Sequence, residues 1–191
     1  MTTITKDYRT EQKRLHKGPY GASGHYWLGH VAELCDMMDC RSVLDYGAGK
    51  ATLGPYLKRL GIKYAAYDPA TFPKKPEGTF DLVVCLDVLE HVEEDCIEAV
   101  MDEIHAYADK AYFAVVSTRP SSKSLSDGRN AHITERPYEW WRDNHLRRGW
   151  KSGRVRQDAD GFNLVGLRST TRPGITAVTR SQINTLRGIT K

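Results

Sequence analysis

The stretch SVLDYGAGKATLGPYL, Ser42 to Leu57, leaves a chain few options. An apolar run ends on an acid, Asp45, and two glycines follow one residue apart, Gly47 and Gly49. Leu53, Leu57 and Leu60 then recur at i, i+4 and i+7, the period of a helix face, and Gly61 is a fitting stop. A buried strand that turns on glycine into a helix opens several nucleotide-handling folds. The stretch alone does not choose among them.

The rest of the chain repeats the alternation. KYAAYD reads as a second strand ending on Asp68, followed by a proline-rich connection. FDLVVCLD, Phe80 to Asp87, reads as a buried strand. Ile97, Val100, Met101, Ile104 and Ala108 share one face of an amphipathic helix. AYFAVVS is another buried strand, and RPSSKSLSDGRNAH a long polar loop. Pro137 suits a first helical turn. WKSGRVRQ and FNLVGLRS then flank a turn at Asp160-Gly161, which predicts a closing antiparallel hairpin. Strands alternating with helices predict an α/β fold with a mostly parallel sheet covered on both faces. Ligands of such sheets bind outside the carboxyl ends of the strands, where Asp45, Asp68, Asp87 and Ser117 would meet.

Composition narrows the setting. A chain of 191 residues, 40% hydrophobic, suffices for one well-buried core. No apolar run approaches the length of a membrane span, and the polar N-terminus lacks the apolar core of a signal peptide. The four cysteines have no paired metal spacing, and Cys85 lies in an apolar run, so a reduced, cytoplasmic protein is expected. No histidine–carboxylate cluster has metal spacing either, and no metal is expected. From Arg142 onward 11 basic residues face 3 acidic ones, although the whole chain carries only +4. The end of the chain reads as a solvated, partly disordered tail. Three regions follow: a helical, lid-like segment 1–41, a ligand-binding domain 42–168 and a basic tail 169–191.

The ligand can be argued by elimination. A phosphate-binding loop needs a serine or threonine after Gly-Lys, and Ala51 follows Gly49-Lys50. A dinucleotide fingerprint needs a third glycine where Thr52 stands, which weakens an NAD-dependent reductase without excluding it. VLDYGAGKA resembles the first motif of class I S-adenosylmethionine-dependent methyltransferases, with Ala51 at the place of the third glycine. Asp68, 23 residues after Asp45, falls where that family's second strand ends on an acid, and FDLVVCLDVLEHV is similar to its fourth-strand motif. YGASGH, YDPA, RPSSKSLSDGRNAHI and PYEWW also resemble a compact bacterial and bacteriophage group of these proteins.

The resemblance implies a Rossmann-like methyltransferase fold with S-adenosyl-L-methionine as cofactor. It implies that Gly47, Ala48 and Gly49 wrap the methionine and ribose, with no Cβ to obstruct the glycines' approach. Asp45 would order the turn and lie near the ammonium, and Asp68 would accept the ribose hydroxyls. Asp87 would stand on the cofactor side. Too few residues separate Asp68 from Phe80 for the family's third strand, so that region is expected to be shortened. Adenine would then rest on Pro69, Phe72 or Leu86.

Methyl transfer needs alignment, and a base only if the acceptor loses a proton. His91, expected to start the helix after DVLEH, and His132 on the polar loop are the catalytic candidates; an ordering role for the first and a plain surface role for the second weigh equally. Tyr20 and His25 belong to a glycine-rich segment that can fold over the site or pack on the sheet edge. Trp140 or Trp141 can wall the acceptor site, the other being core. DVLEH stands where amino methyltransferases of nucleic-acid bases carry Asn/Asp-Pro-Pro-aromatic, which disfavours a base amine as acceptor. The leading expectation is methyl transfer to an O or N of a small or nucleotide-linked acceptor. A module that acts on nucleic acid through the basic tail is the alternative from another class.

Overall fold

The computed structural model describes residues 2–157 and 160–168, with backbone only for 152–157. The tail from 169 onward therefore lies outside the described residues, as does part of the hairpin turn. Six strands form one sheet: β1 (Ser42–Tyr46), β2 (Lys63–Tyr67), β3 (Phe80–Leu86), β4 (Ala108–Ser117), β5 (Trp150–Gln157) and β6 (Gly161–Arg168). Their order is β2-β1-β3-β4-β6-β5. The first four are parallel, and β6 pairs antiparallel with both β4 and β5. The sheet ends at β2, so the shortened third-strand region is borne out as a missing edge strand.

Period-two alternation sorts the strands' side chains to two faces. Leu44, Val83, Cys85, Tyr112 and Ala114 join one core with Ile97, Val100, Met101 and Ile104 of α4 (Ile97–Tyr107) and Trp141 of α5 (Tyr138–Arg147). Val43, Leu82, Val84, Ala111 and Phe113 join the other, closed by α2 (Leu28–Met37) and α3 (Gly54–Arg59). The N-terminal helix α1 (Lys6–Leu15) packs Ile4 and Tyr8 against Leu125 and Ala131 of the polar loop. Thr5 is tied to Glu93, donating from its N–H at 2.8 Å and its hydroxyl at 2.7 Å.

Two sequence expectations need correction. Helix α3 is only six residues long, and Leu60 just beyond it is 58% exposed. Only Leu53 and Leu57 of the expected leucine face are buried. The residues after β3 do not begin a helix: Leu89–His91 is a single 3-10 turn, and α4 starts six residues later at Ile97.

Ala51, at the place of the third glycine, has φ of +54°. That left-handed conformation brings a Cβ too close to the following carbonyl and disfavours every residue but glycine. The departure from the motif is therefore a strained backbone position. Ala51→Gly should stabilise the protein by about 1 kcal/mol, raising Tm by about 2–4 °C. A lowered Tm in a thermal melt would contradict this.

Candidate active site

The carboxyl ends of β1, β2 and β3 open into a cavity of about 570 Å³. Asp45 comes from β1, while Asp68 and Asp87 directly follow β2 and β3; all three line it. Gly47, Ala48, Pro69 and Leu86 line it too, whereas Gly49, expected to wrap the ligand with them, does not. The other wall is the N-terminal segment, including Tyr20, Gly21, Ser23 and His25. Among the described residues no lysine or arginine lines the cavity.

The glycine turn is shaped by its protein neighbours. Gly47 and Gly49 have φ of +77° and +53°. A Cβ on Gly47 would stand 2.4 Å from a Val88 methyl, and one on Gly49 would stand 2.4 Å from the Gly21 carbonyl oxygen. The missing side chains thus admit Val88 and the lid backbone, a packing reason beyond the ligand approach expected from sequence. The contact is reinforced by the Lys50 N–H donating to the Gly21 carbonyl at 2.8 Å. Thr52 donates its hydroxyl to the Ala22 carbonyl at 3.2 Å and accepts from the His25 N–H at 3.2 Å.

Each carboxylate has its own support. Asp68, 6% exposed, accepts from Gly49 N–H at 3.1 Å, Ala70 N–H at 2.8 Å and Thr71 N–H at 3.0 Å. It therefore ties the glycine turn to the end of β2. Asp45, 3% exposed, accepts the Tyr64 hydroxyl at 2.8 Å. Burial pushes its pKa up to about 7, with Asp68 adding to the rise and the Tyr64 bond opposing it. Asp87 sits at φ +56°, and burial raises its carboxyl, with Ser23 and Trp27 of the N-terminal segment opposing the rise. A strained non-glycine residue at a cavity edge is a frequent mark of function.

The histidines meet at the far end. His91 lines the cavity; His132 does not, but its ring lies 4.6 Å from that of His91. The Tyr20 ring packs edge-on to His91 at 5.4 Å and to His16 at 4.8 Å. The Nδ1 atom of His91 faces the Ala131 carbonyl oxygen at 2.7 Å, and that of His132 the Arg119 carbonyl oxygen at 2.5 Å. A carbonyl only accepts, so in each ring Nδ1 carries the proton and Nε2 keeps a lone pair. Burial lowers His91 to about 4, with His132 lowering it further and the Ala131 contact opposing. Beside them Glu90 is fully buried. One oxygen accepts from the Ser117 N–H at 3.0 Å and the other has no partner.

Sequence reading singled out neither Glu90 nor this convergence. Glu90, His91 and His132 place one ligand atom each within 4.8 Å of one another, although spacing along the chain gave no metal cluster. His132 arrives from a loop 41 residues further on, so only the fold joins them. Three other expectations shift. Ser117 serves Glu90 and does not line the cavity. Phe72, offered as an adenine support, is absent from the lining, while Pro69 and Leu86 are present. Trp140 is absent as well: it packs on the core below α5, edge-on to the fully buried Trp141 and under the Arg136 guanidinium.

Asp45 provides a test of the site's electrostatics. An acid whose folded pKa is raised binds more protons folded than unfolded between its two pKa values. Stability of the ligand-free protein then falls as pH rises from about 4 to about 7. Asp45→Asn should therefore raise Tm more at about pH 8 than at about pH 5, where both side chains are neutral. An equal shift at both pH values would contradict a raised Asp45.

The relatives agree with this geometry. The family model described as a methyltransferase domain matches residues 11–164. No curated protein sequence matches this one. An O-methyltransferase family protein of Burkholderia thailandensis superimposes with a TM-score of 0.57 at 14% identity, over 90% of this chain and 65% of its own, so this chain spans under two thirds of that protein. The 1,6-didemethyltoxoflavin-N1-methyltransferase of the same organism, solved with its substrate and S-adenosylhomocysteine, gives 0.59 at 15%, over 85% of this chain and 89% of its own. Magnesium protoporphyrin IX methyltransferase of Synechocystis PCC 6803, solved with S-adenosylmethionine, gives 0.52 at 17%, over 86% and 83%. With the family model covering most of the chain, the glycine turn, the acid-lined cavity and the sheet order have one explanation: this chain belongs to the class I S-adenosylmethionine-dependent methyltransferases.

Proposed function

We propose that the protein methylates an oxygen or nitrogen of a small or nucleotide-linked acceptor. The observation that carries this reading is a cavity with three carboxylates and, among the described residues, no lysine or arginine. Such a lining favours a cationic ligand and repels phosphates. It fits an ammonium and a sulfonium, and it disfavours the pyrophosphate of NAD. The volume suits a nucleoside-sized ligand. When bound, S-adenosylmethionine supplies a methyl on a sulfonium, whose S–C bond breaks to leave a neutral thioether as the acceptor's bond forms.

The chain's own residues divide the work. Asp45 and Asp87 provide negative charge for the methionine end. Asp68 has three backbone donors on a carboxylate that offers about four lone-pair sites, which leaves room for a ribose hydroxyl. Pro69 and Leu86 offer apolar surface to adenine. The N-terminal segment, with Ser23 and Trp27 near Asp87 and with Tyr20 and His25 in the lining, covers that end as a lid. The acceptor is engaged where His91 and His132 present lone pairs at Nε2. The two neighbours whose names carry substrates act on small molecules, which supports a small acceptor here. Residues 169–191, on which a nucleic-acid role would depend, lie outside the described residues.

Calorimetry should show S-adenosylhomocysteine binding and no NADH binding. Asp68→Ala should weaken the former by about 1.5–3 kcal/mol, the worth of hydrogen bonds to a charged group. Unchanged affinity would remove Asp68 from the cofactor site, and NADH binding would overturn the reading.

A further inference from the structure

Glu90 poses a problem that methyl transfer alone does not explain. Its side chain is wholly inside the protein, anchored by the Ser117 N–H, and its backbone carbonyl accepts the Thr134 N–H at 3.0 Å. Yet its second oxygen has no partner. A buried acceptor without a donor costs about 1–3 kcal/mol, and more when charged, so a fold that keeps one fixes it for something. Two imidazoles, His91 and His132, come within 4.8 Å of its carboxylate. Each donates its Nδ1–H to a backbone carbonyl, and each keeps an unused lone pair on Nε2. Backbone carbonyls that fix the tautomer in this way are the usual second layer around metal-bound histidines. Among the described residues no group donates to the second Glu90 oxygen, and no hydrogen bond ends on either Nε2.

We propose that Glu90, His91 and His132 bind a divalent first-row transition cation whose open positions take the oxygen of a hydroxyl acceptor. Two imidazoles and a carboxylate are a donor set suited to such ions. Ligands about 2.1 Å from a shared ion stand no more than about 4.2 Å apart. One ligand atom from each residue already lies within 4.8 Å of the other two, so small rotations of the two imidazoles close the set. Glu90 lies behind, buried, while His91 borders the cavity and His132 is only half-buried, so the remaining positions face the acceptor side. An acceptor oxygen held there loses its proton more readily, the proton leaving to water, while the ion neutralises the oxygen's charge. This narrows the acceptor of the proposed reaction to an oxygen nucleophile. The acceptor assignment rests on the methyl-transfer reading; the ion site stands on ligand geometry alone.

The test uses the full chain, stripped of metal with a chelator, and Mn²⁺ as probe. Electron paramagnetic resonance of free Mn²⁺ should show one ion bound per chain, displaced by Zn²⁺. Glu90→Gln and His132→Ala should each weaken Mn²⁺ binding at least about tenfold, with S-adenosylhomocysteine affinity in calorimetry changed by less than about twofold. His132 is a half-buried loop residue, so its variant carries the test if the buried Glu90 variant fails to fold. The ion site is overturned if the wild type binds neither metal, or if His132→Ala binds Mn²⁺ as tightly as the wild type. Stripped protein that still binds S-adenosylhomocysteine in that case leaves the methyl-transfer reading standing. Loss of S-adenosylhomocysteine binding in metal-replete wild type would sink that reading instead.

Discussion

Three carboxylates crowd the carboxyl ends of three neighbouring parallel strands, and among the described residues no lysine or arginine of the cavity faces them. Burying even one such group is unfavourable unless something compensates. Here compensation is partial. Backbone N–H groups hold Asp68, one phenol holds Asp45, and the lid holds Asp87. The remaining mismatch appears as the raised pKa of Asp45. A site lined in this way gives up stability for affinity toward a positive ligand.

The lid depends on the same carboxylates. Gly49 donates to Asp68 while its bare Cα lies against Gly21, so the acid that would meet the cofactor's ribose also anchors the turn on which the lid rests. At the other side Ser23 and Trp27 reach Asp87. The proposed cofactor end and the N-terminal segment thus share the aspartates Asp68 and Asp87. A bound cation that draws on Asp87 competes directly with the lid's own donors.

Much of this was legible in the chain. Short apolar runs marked the strands, and helical spacing marked Ile97, Val100, Met101 and Ile104 of α4, because burial on a regular element leaves its pattern in the sequence; Ala108, expected on the same face, instead opens β4. The aspartates could be grouped, since strand ends in a parallel sheet point to one side. What stayed hidden depends on contacts distant in sequence. The rationale for Gly47 and Gly49 needed Val88 and Gly21 in view. Glu90 reads as one more helix acid until Ser117 and two imidazoles close around it. Trp140 and Trp141 are adjacent, and nothing local revealed that neither lines the cavity. Leu60 fits the helical period yet is exposed, because the helix stops at Arg59.

The central claim is that the cavity's negative charge is what recognises the cofactor. Titrating S-adenosylmethionine in two buffers of different ionisation enthalpy measures it, since a cation that enters beside protonated acids must expel their protons. Affinity should rise from about pH 5.5 to about pH 7.5, with net proton release at the lower end. An affinity independent of pH, with no proton exchanged, would contradict the account.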